Sequence, residues 1–151
     1  MNYRKFGNTG VKVSEIGLGT WQMGGPTLIG SRQIGWGEVD DNTSLKVLDA
    51  AVDNGITFID TADAYGGGHS ETLVGKAYKG KRDKVFISTK YGNHEDAEGN
   101  WIKDFSPEYT RKALEASLKR LQTDYVDFLH LHSPGPSWRL EDDTVEMLEK
   151  L

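Results

Sequence analysis

The sequence predicts an α/β fold, an N-terminal hairpin followed by about the first four β/α units of a (β/α)8 barrel. Three observations lead there. Short apolar runs suited to strands begin near residues 15, 57, 84 and 126, and amphipathic helical stretches separate them. Such alternation makes a parallel sheet, because each helix returns the chain over the sheet in a right-handed crossover. The second, third and fourth runs also end on Asp60, Lys90 and His132, and barrels carry their chemistry on polar residues at strand ends. A closed barrel takes about 250 residues. Residues 1–151 are therefore expected to be the N-terminal half of a single barrel domain whose C-terminal half is absent.

The elements follow in order. "YRKFGNTGVKVS" (3–14) reads as two short strands around the turn formers Asn8, Thr9 and Gly10. "EIGLGTW" (15–21) is the first barrel strand, with glycines where something must come close to the backbone. Residues 22–39, glycine-rich and containing Pro26, are expected to form a long loop without regular structure, of the kind that is usually functional or mobile. In "DDNTSLKVLDAAVDNG" (40–55), Asp41, Asn42 and Thr43 offer N-caps. Leu45, Leu48, Ala51 and Val52 share a helical face, and Gly55 sits where a C-cap belongs.

"TFID" (57–60) is the second barrel strand, and a glycine turn leads to a short helix from Ser70 and Glu71. "KVFISTK" (84–90) is the third strand. A polar loop then reaches "SPEYTRKALEASLKRLQ" (106–122), where Ser106 caps and Pro107 suits the first helical position. Leu114, Leu118 and Leu121 give this helix its buried stripe. "VDFLHLHSP" (126–134) is the fourth strand, and "LEDDTVEMLEKL" (140–151) begins a fourth helix.

Composition narrows the function. Hydrophobic residues make up 36% and charged residues 27% of the chain, as in ordinary globular proteins. The net charge of −5 offers no basic surface for nucleic acid or an anionic membrane. No apolar run is long enough to span a bilayer, and "MNYRKFGNTG" lacks the apolar core of a signal peptide. With no cysteine there is neither a disulfide framework nor thiolate chemistry. A cytoplasmic location is expected.

Strand alternation places Phe58 with Asp60, Phe86 with Ser88 and Lys90, and Phe128 with His130 and His132. If these faces line the barrel interior, Asp60, Lys90 and His132 emerge together, with Tyr65 on the loop above Asp60. A phenol beside an ammonium is favoured in its ionised form. A buried ammonium needs a carboxylate to keep its charge, which accounts for Asp60 opposite Lys90. A histidine beside the phenol can donate to a substrate oxygen. Together these groups would donate a proton to a carbonyl oxygen while hydride arrives at its carbon.

Four stretches, "RKFGNTGVKVSEIGLGTWQMGG", "GITFIDTADAYGGGHSETLVGKA", "KVFISTKYG" and "SLKRLQTDYVDFLHLHSP", resemble the aldo-keto reductases in order and spacing. The resemblance is closest to the bacterial and plant branch with "FIDTAxxYG" followed by "SE". It implies the TIM barrel of that family and an NADP-dependent oxidoreductase that reduces small aldehydes or ketones to alcohols. It further implies that Asp60, Tyr65, Lys90 and His132 are the catalytic tetrad. Tyr65 would be the proton donor, Lys90 its charged partner, Asp60 the anchor of Lys90, and His132 the group orienting the carbonyl. Gly19, Thr20, Trp21 and Asp60 would lie near the nicotinamide end of NADP(H), and Trp21 and His132 would contact substrate. The family often has Trp after the strand-four histidine, whereas this chain has Ser133, so an aromatic wall is missing.

Other readings of the residues stand beside this one. His130, one layer below His132, reads as a satisfied interior histidine. Trp21, Trp36 and Trp101 fall in or beside loops at the same end and could wall a substrate pocket or simply pack. "HLH" could instead serve a metal-dependent hydrolase through His130 and His132, although such enzymes carry it on their first strand. A catalytically inactive half-barrel acting only by association is the third reading. Two open sheet edges and uncovered Phe58, Phe86 and Phe128 would make the isolated chain self-associate.

Overall fold

The computed structural model of the protein describes residues 1–29, 32–96, 98–136, 138–139 and 142–150. Strands β1 (Tyr3–Lys5) and β2 (Lys12–Ser14) form the expected N-terminal hairpin, with Tyr3 opposite Ser14. β3 (Gly17–Gly19) is the first barrel strand. Residues 22–39, expected to be irregular, hold two small ordered pieces. A 3-10 turn spans Trp21–Gly24, and β4 (Leu28–Ile29) pairs antiparallel with β5 (Arg32–Gln33). The Ile34 amide extends this hairpin by donating to Thr27 O at 2.9 Å. The density of glycine in the segment hides a short β-capable run around Thr27 and Leu28.

Helix α1 (Asp41–Asp53) starts one residue earlier than the candidate caps suggested. Asp40 is its N-cap, its carboxylate accepting from the Thr43 amide at 2.7 Å. Gly55 follows the helix at φ 81, a left-handed conformation that glycine adopts without penalty. Then come β6 (Phe58–Asp60), α2 (His69–Tyr78), a 3-10 turn at Arg82–Lys84 and β7 (Phe86–Tyr91). The polar loop after β7 is a further hairpin, β8 (Asn93–Glu95) with β9 (Trp101–Lys103). Its turn is held by the Asp96 carboxylate, which accepts from the Glu98 and Asn100 amides. Such Asx-type bonding is local, but the sequence signal for it is weak.

Helix α3 (Pro107–Leu121) has Ser106 as its N-cap and Pro107 in its first turn, as the sequence predicts. Its buried stripe differs. Thr110, Ala113, Ser117 and Leu121 are buried, whereas Leu114 and Leu118 are only half-buried. Small residues on this face let α3 approach α2 so closely that a Cβ on Gly75 would overlap the backbone of Arg120 and Leu121. β10 (Phe128–Leu131) and α4 (Asp142–Leu148) complete the described elements. Leu140, Glu141 and Leu151, part of the expected fourth helix, lie outside the described residues.

The four barrel strands lie side by side in chain order, β3, β6, β7, β10, with every neighbouring pair parallel. Ile59 and Ile87 on the outer face are fully buried against Leu48 of α1, Leu73 and Val74 of α2, and Leu121 of α3. The inner face carries the phenylalanines, and these are not bare. Phe6, from the turn of the N-terminal hairpin, packs its ring 5.8, 4.8 and 5.1 Å from those of Phe58, Phe86 and Phe128. Phe86 is buried as a result, while Phe128 at the sheet edge stays 37% exposed. The expectation of three uncovered rings is therefore corrected: the hairpin plugs the floor of the sheet. No described helix is long and apolar enough to cross a membrane.

Candidate active site

The parallel register sets Asp60 beside Ser88, one pleat below Lys90 on the same inner face. Lys90 then uses all three donors of its ammonium. Nζ donates to Asp60 Oδ2 at 2.7 Å, to Thr61 O at 2.7 Å and to the Tyr65 hydroxyl at 3.2 Å. The charge is largely buried, with the Lys90 side chain 17% exposed. It survives there because a carboxylate and two oxygen acceptors replace its water.

Tyr65 sits on a tight turn after β6. Its amide donates to Ala62 O, and its carbonyl accepts from the Ser70 amide, both at 3.2 Å. Gly66 follows at φ 64 and lies so close to Gly24 that a Cβ would collide with that backbone, so the turn needs glycine twice over. The Tyr65 ring is held between two others. Trp21 stacks at 6.1 Å, itself edge-on to Trp36 at 5.6 Å, and His132 meets it edge-on at 5.7 Å. His132 lies just past β10, its amide donating to Tyr91 O at 2.8 Å and its carbonyl accepting from Asn93 Nδ2 at 3.2 Å. Burial, and then the nearby Lys90 charge, push its pKa down to about 4. The imidazole is therefore neutral at physiological pH, with one N–H to donate.

These four side chains, drawn from two strand ends, one turn and one loop, come together as the sequence predicts. A carboxylate, an ammonium, a phenol and a neutral imidazole in this arrangement can deliver a proton to an oxygen without leaving a buried charge unpaired. The profile of the Aldo/keto reductase family matches residues 15–151. The chain belongs to the aldo/keto reductase family. It is 42% identical to the aldo-keto reductase YhdN of Bacillus subtilis, over all of this chain and 43% of that protein. The aldo-keto reductase AKR11C1 from Bacillus halodurans superposes with a TM-score of 0.80 at 33% identity, covering 99% of this chain and 46% of that one. An aldo-keto reductase from Klebsiella pneumoniae in complex with NADPH matches at a TM-score of 0.66 and 33% identity, over 93% of this chain and 42% of its own. The chain thus spans less than half the length of these relatives, and its fold is part of their TIM barrel.

Beneath the site, the chain carries a strut that sequence reading missed. Thr61, Ser70 and Thr20 are fully buried, and their hydroxyls run in series. Thr61 lies 3.1 Å from Ser70, Ser70 donates to Thr20 Oγ1 at 2.7 Å, and Thr20 donates to Asp60 O at 3.1 Å. Ser70 reads in sequence only as a helix start, yet it ties α2 to the ends of β3 and β6. Thr20, expected near a cofactor, is fully buried, with its hydroxyl and its amide both donating to Asp60 O. Gly19 differs, since a Cβ there would meet open space. His130, expected to be a satisfied interior residue, is held by packing edge-on to Phe128 at 4.3 Å. Among the described residues no group of three His, Asp, Glu or Cys is placed to hold a metal ion, and the two-histidine hydrolase reading finds no support. Trp101 stands apart from Trp21 and Trp36, on β9.

Asp63, in the same turn as Tyr65, is an unexpected titrating group. Burial, then the charge of Glu71, raise its pKa to about 7, against the lowering effect of Arg120. The folded chain therefore holds this proton more tightly than the unfolded one. The stabilisation is complete below about pH 3.8 and is lost as pH rises to about 7. His132 has the opposite sign, its contribution being lost as pH falls from about 6.5 to about 4. Asp63→Asn should remove the first slope only. Urea unfolding from pH 4 to 8 is expected to show the variant gaining on the wild type until about pH 7 and holding level beyond. Parallel profiles would show that Asp63 titrates as an ordinary carboxylate.

Proposed function

We propose that this chain carries the proton-donating centre of an NADP(H)-dependent reductase that converts small aldehydes or ketones to alcohols. The observation that carries the reading is the Lys90 ammonium bridging Asp60 and the Tyr65 hydroxyl, with neutral His132 against the same ring. In this reading Tyr65 gives its proton to the carbonyl oxygen. Lys90, already donating to the phenol oxygen, stabilises the negative charge left there. Asp60 keeps Lys90 charged and aimed. His132 donates an N–H to the substrate oxygen and orients the carbonyl toward Tyr65. Trp21 and Trp36 wall the space above the ring.

The residues fit a nicotinamide at one end of this surface. Gly19 leaves its face open, and Trp21, 42% exposed, provides a flat neighbour. NADPH, when bound, supplies the hydride. The NADPH complex of the Klebsiella relative supports the same cofactor here. As the first part of a barrel domain, the chain supplies the four polar groups, and the remaining strands of such a barrel would complete the cofactor grip.

The test uses a chimera in which the C-terminal part of the B. subtilis relative follows this chain. Tyr65→Phe is expected to slow aldehyde reduction at least about a hundredfold while NADPH affinity stays level. Near-wild-type turnover in that variant would remove Tyr65 from the proton-donor role.

A further inference from the structure

Outside the Tyr65 turn lies a cleft of about 500 Å³ that the reaction does not use. Its walls are the outer side of that turn (Ala64, Gly66, Gly67), the β8–β9 hairpin, helix α3 and residues 26–28. The volume suits a small molecule. None of Asp60, Tyr65, Lys90 and His132 lines it.

Unmet hydrogen bonding singles this cleft out. Among the described residues, six buried side-chain polar atoms lack a partner, and four belong to residues lining it: Thr27 Oγ1, Asp63 Oδ1, Asn93 Oδ1 and His94 Nδ1. Each such atom costs stability unless something binds it. The Asn93 amide is oriented by its Nδ2 donating to His132 O, so the free atom is the acceptor oxygen. A carboxylate oxygen also only accepts, and a neutral imidazole nitrogen and a hydroxyl can accept. The cleft presents acceptors and wants donors.

Charge points the same way. Asp63 and the fully buried Glu71 share one guanidinium, and Arg120 spends it on Glu71 at 2.6 Å. The buried wall is one cation short. The other charged or titratable groups of the cleft are Lys112 and Tyr109 on α3 and His94 and Glu95 on β8, with Lys112 and Glu95 exposed at its rim. Trp101 adds an aromatic face, and so does Tyr109, stacked on His94 at 4.1 Å. Such faces attract organic cations.

We propose that this cleft is a second ligand site, for a small organic cation bearing N–H donors, an ammonium or guanidinium group paired with Asp63. The cation supplies the missing charge, and its N–H groups meet the orphaned acceptors. The proposal does not depend on the catalytic reading, since its ligand and its residues are different.

The purified chain, labelled with nitrogen-15, is titrated at pH 8 with n-butylammonium and, separately, ethylguanidinium. Saturable shifts are expected at Ala64, Gly67, Asn93 and the Trp101 indole for at least one of them, the stronger binder naming the head group. Asp63→Asn should weaken binding at least about tenfold. Tetramethylammonium, equal in charge but without N–H donors, should bind at least about tenfold more weakly. Affinity should fall as pH drops through about 7, where a proton competes for Asp63. If Asp63→Asn does not fold, Thr27→Val on a different segment serves, with an expected loss of about threefold. Shifts that never saturate, that survive these substitutions, or that tetramethylammonium reproduces at equal concentration overturn the proposal and leave water as the occupant.

Discussion

Lys90→Met is expected to abolish carbonyl reduction near neutral pH in the chimeric barrel, a loss beyond about a thousandfold. The side chain has nearly the same length, so packing changes little, but three hydrogen bonds vanish together. Tyr65 loses the donor that stabilises its oxygen once the proton has gone. Asp60, 33% exposed, is left without its cation and is free to turn toward water. The effect therefore exceeds that of Tyr65→Phe, which leaves the Lys90–Asp60 pair standing. Any residual reduction should hold to higher pH than in the wild type, because Tyr65 donates only while it keeps its proton and the neighbouring charge that favours giving it up is gone. Superimposable pH–rate profiles would show that Lys90 and Tyr65 are not coupled in the reaction.

Arg120→Leu is expected to be the most damaging change to stability, at about 3–5 kcal/mol. Glu71 has no exposed surface, and its carboxylate depends on Arg120 at 2.6 Å and on the Thr89 hydroxyl at 2.5 Å. Removing the guanidinium leaves a buried charge in the first turn of α2, directly after the catalytic turn and near Asp63. Against a total stability of about 5–15 kcal/mol, that loss is about a fifth of the total or more, and at the low end of the range it unfolds much of the chain. The double variant Arg120→Leu with Glu71→Leu should recover most of it, since an apolar pair of similar volume needs no counterion. Chemical denaturation of the single and double variants measures both. A single variant within about 1 kcal/mol of the wild type would mean that water, rather than Arg120, carries the Glu71 charge.

The sequence alone determined the order of strands and helices, the parallel sheet, and which residues stand at the strand ends. Those features are local. Period-two alternation put Asp60 and Lys90 on one face, and strand order made them neighbours, so their contact could be read before any coordinates. The caps of α3 were equally legible, because Ser106 and Pro107 act within one turn. Only the tertiary structure placed Phe6 beneath Phe58, Phe86 and Phe128, joined Ser70 to Thr20 fifty residues away, and set Arg120 against Glu71. It likewise replaced the expected leucine stripe of α3 by small residues and opened a cleft whose acceptors come from three separate segments. Each of these depends on how closely two elements approach and how each is rotated. That is decided by the packing of all their side chains at once, and periodicity along a single chain records which face is apolar but not what it will meet.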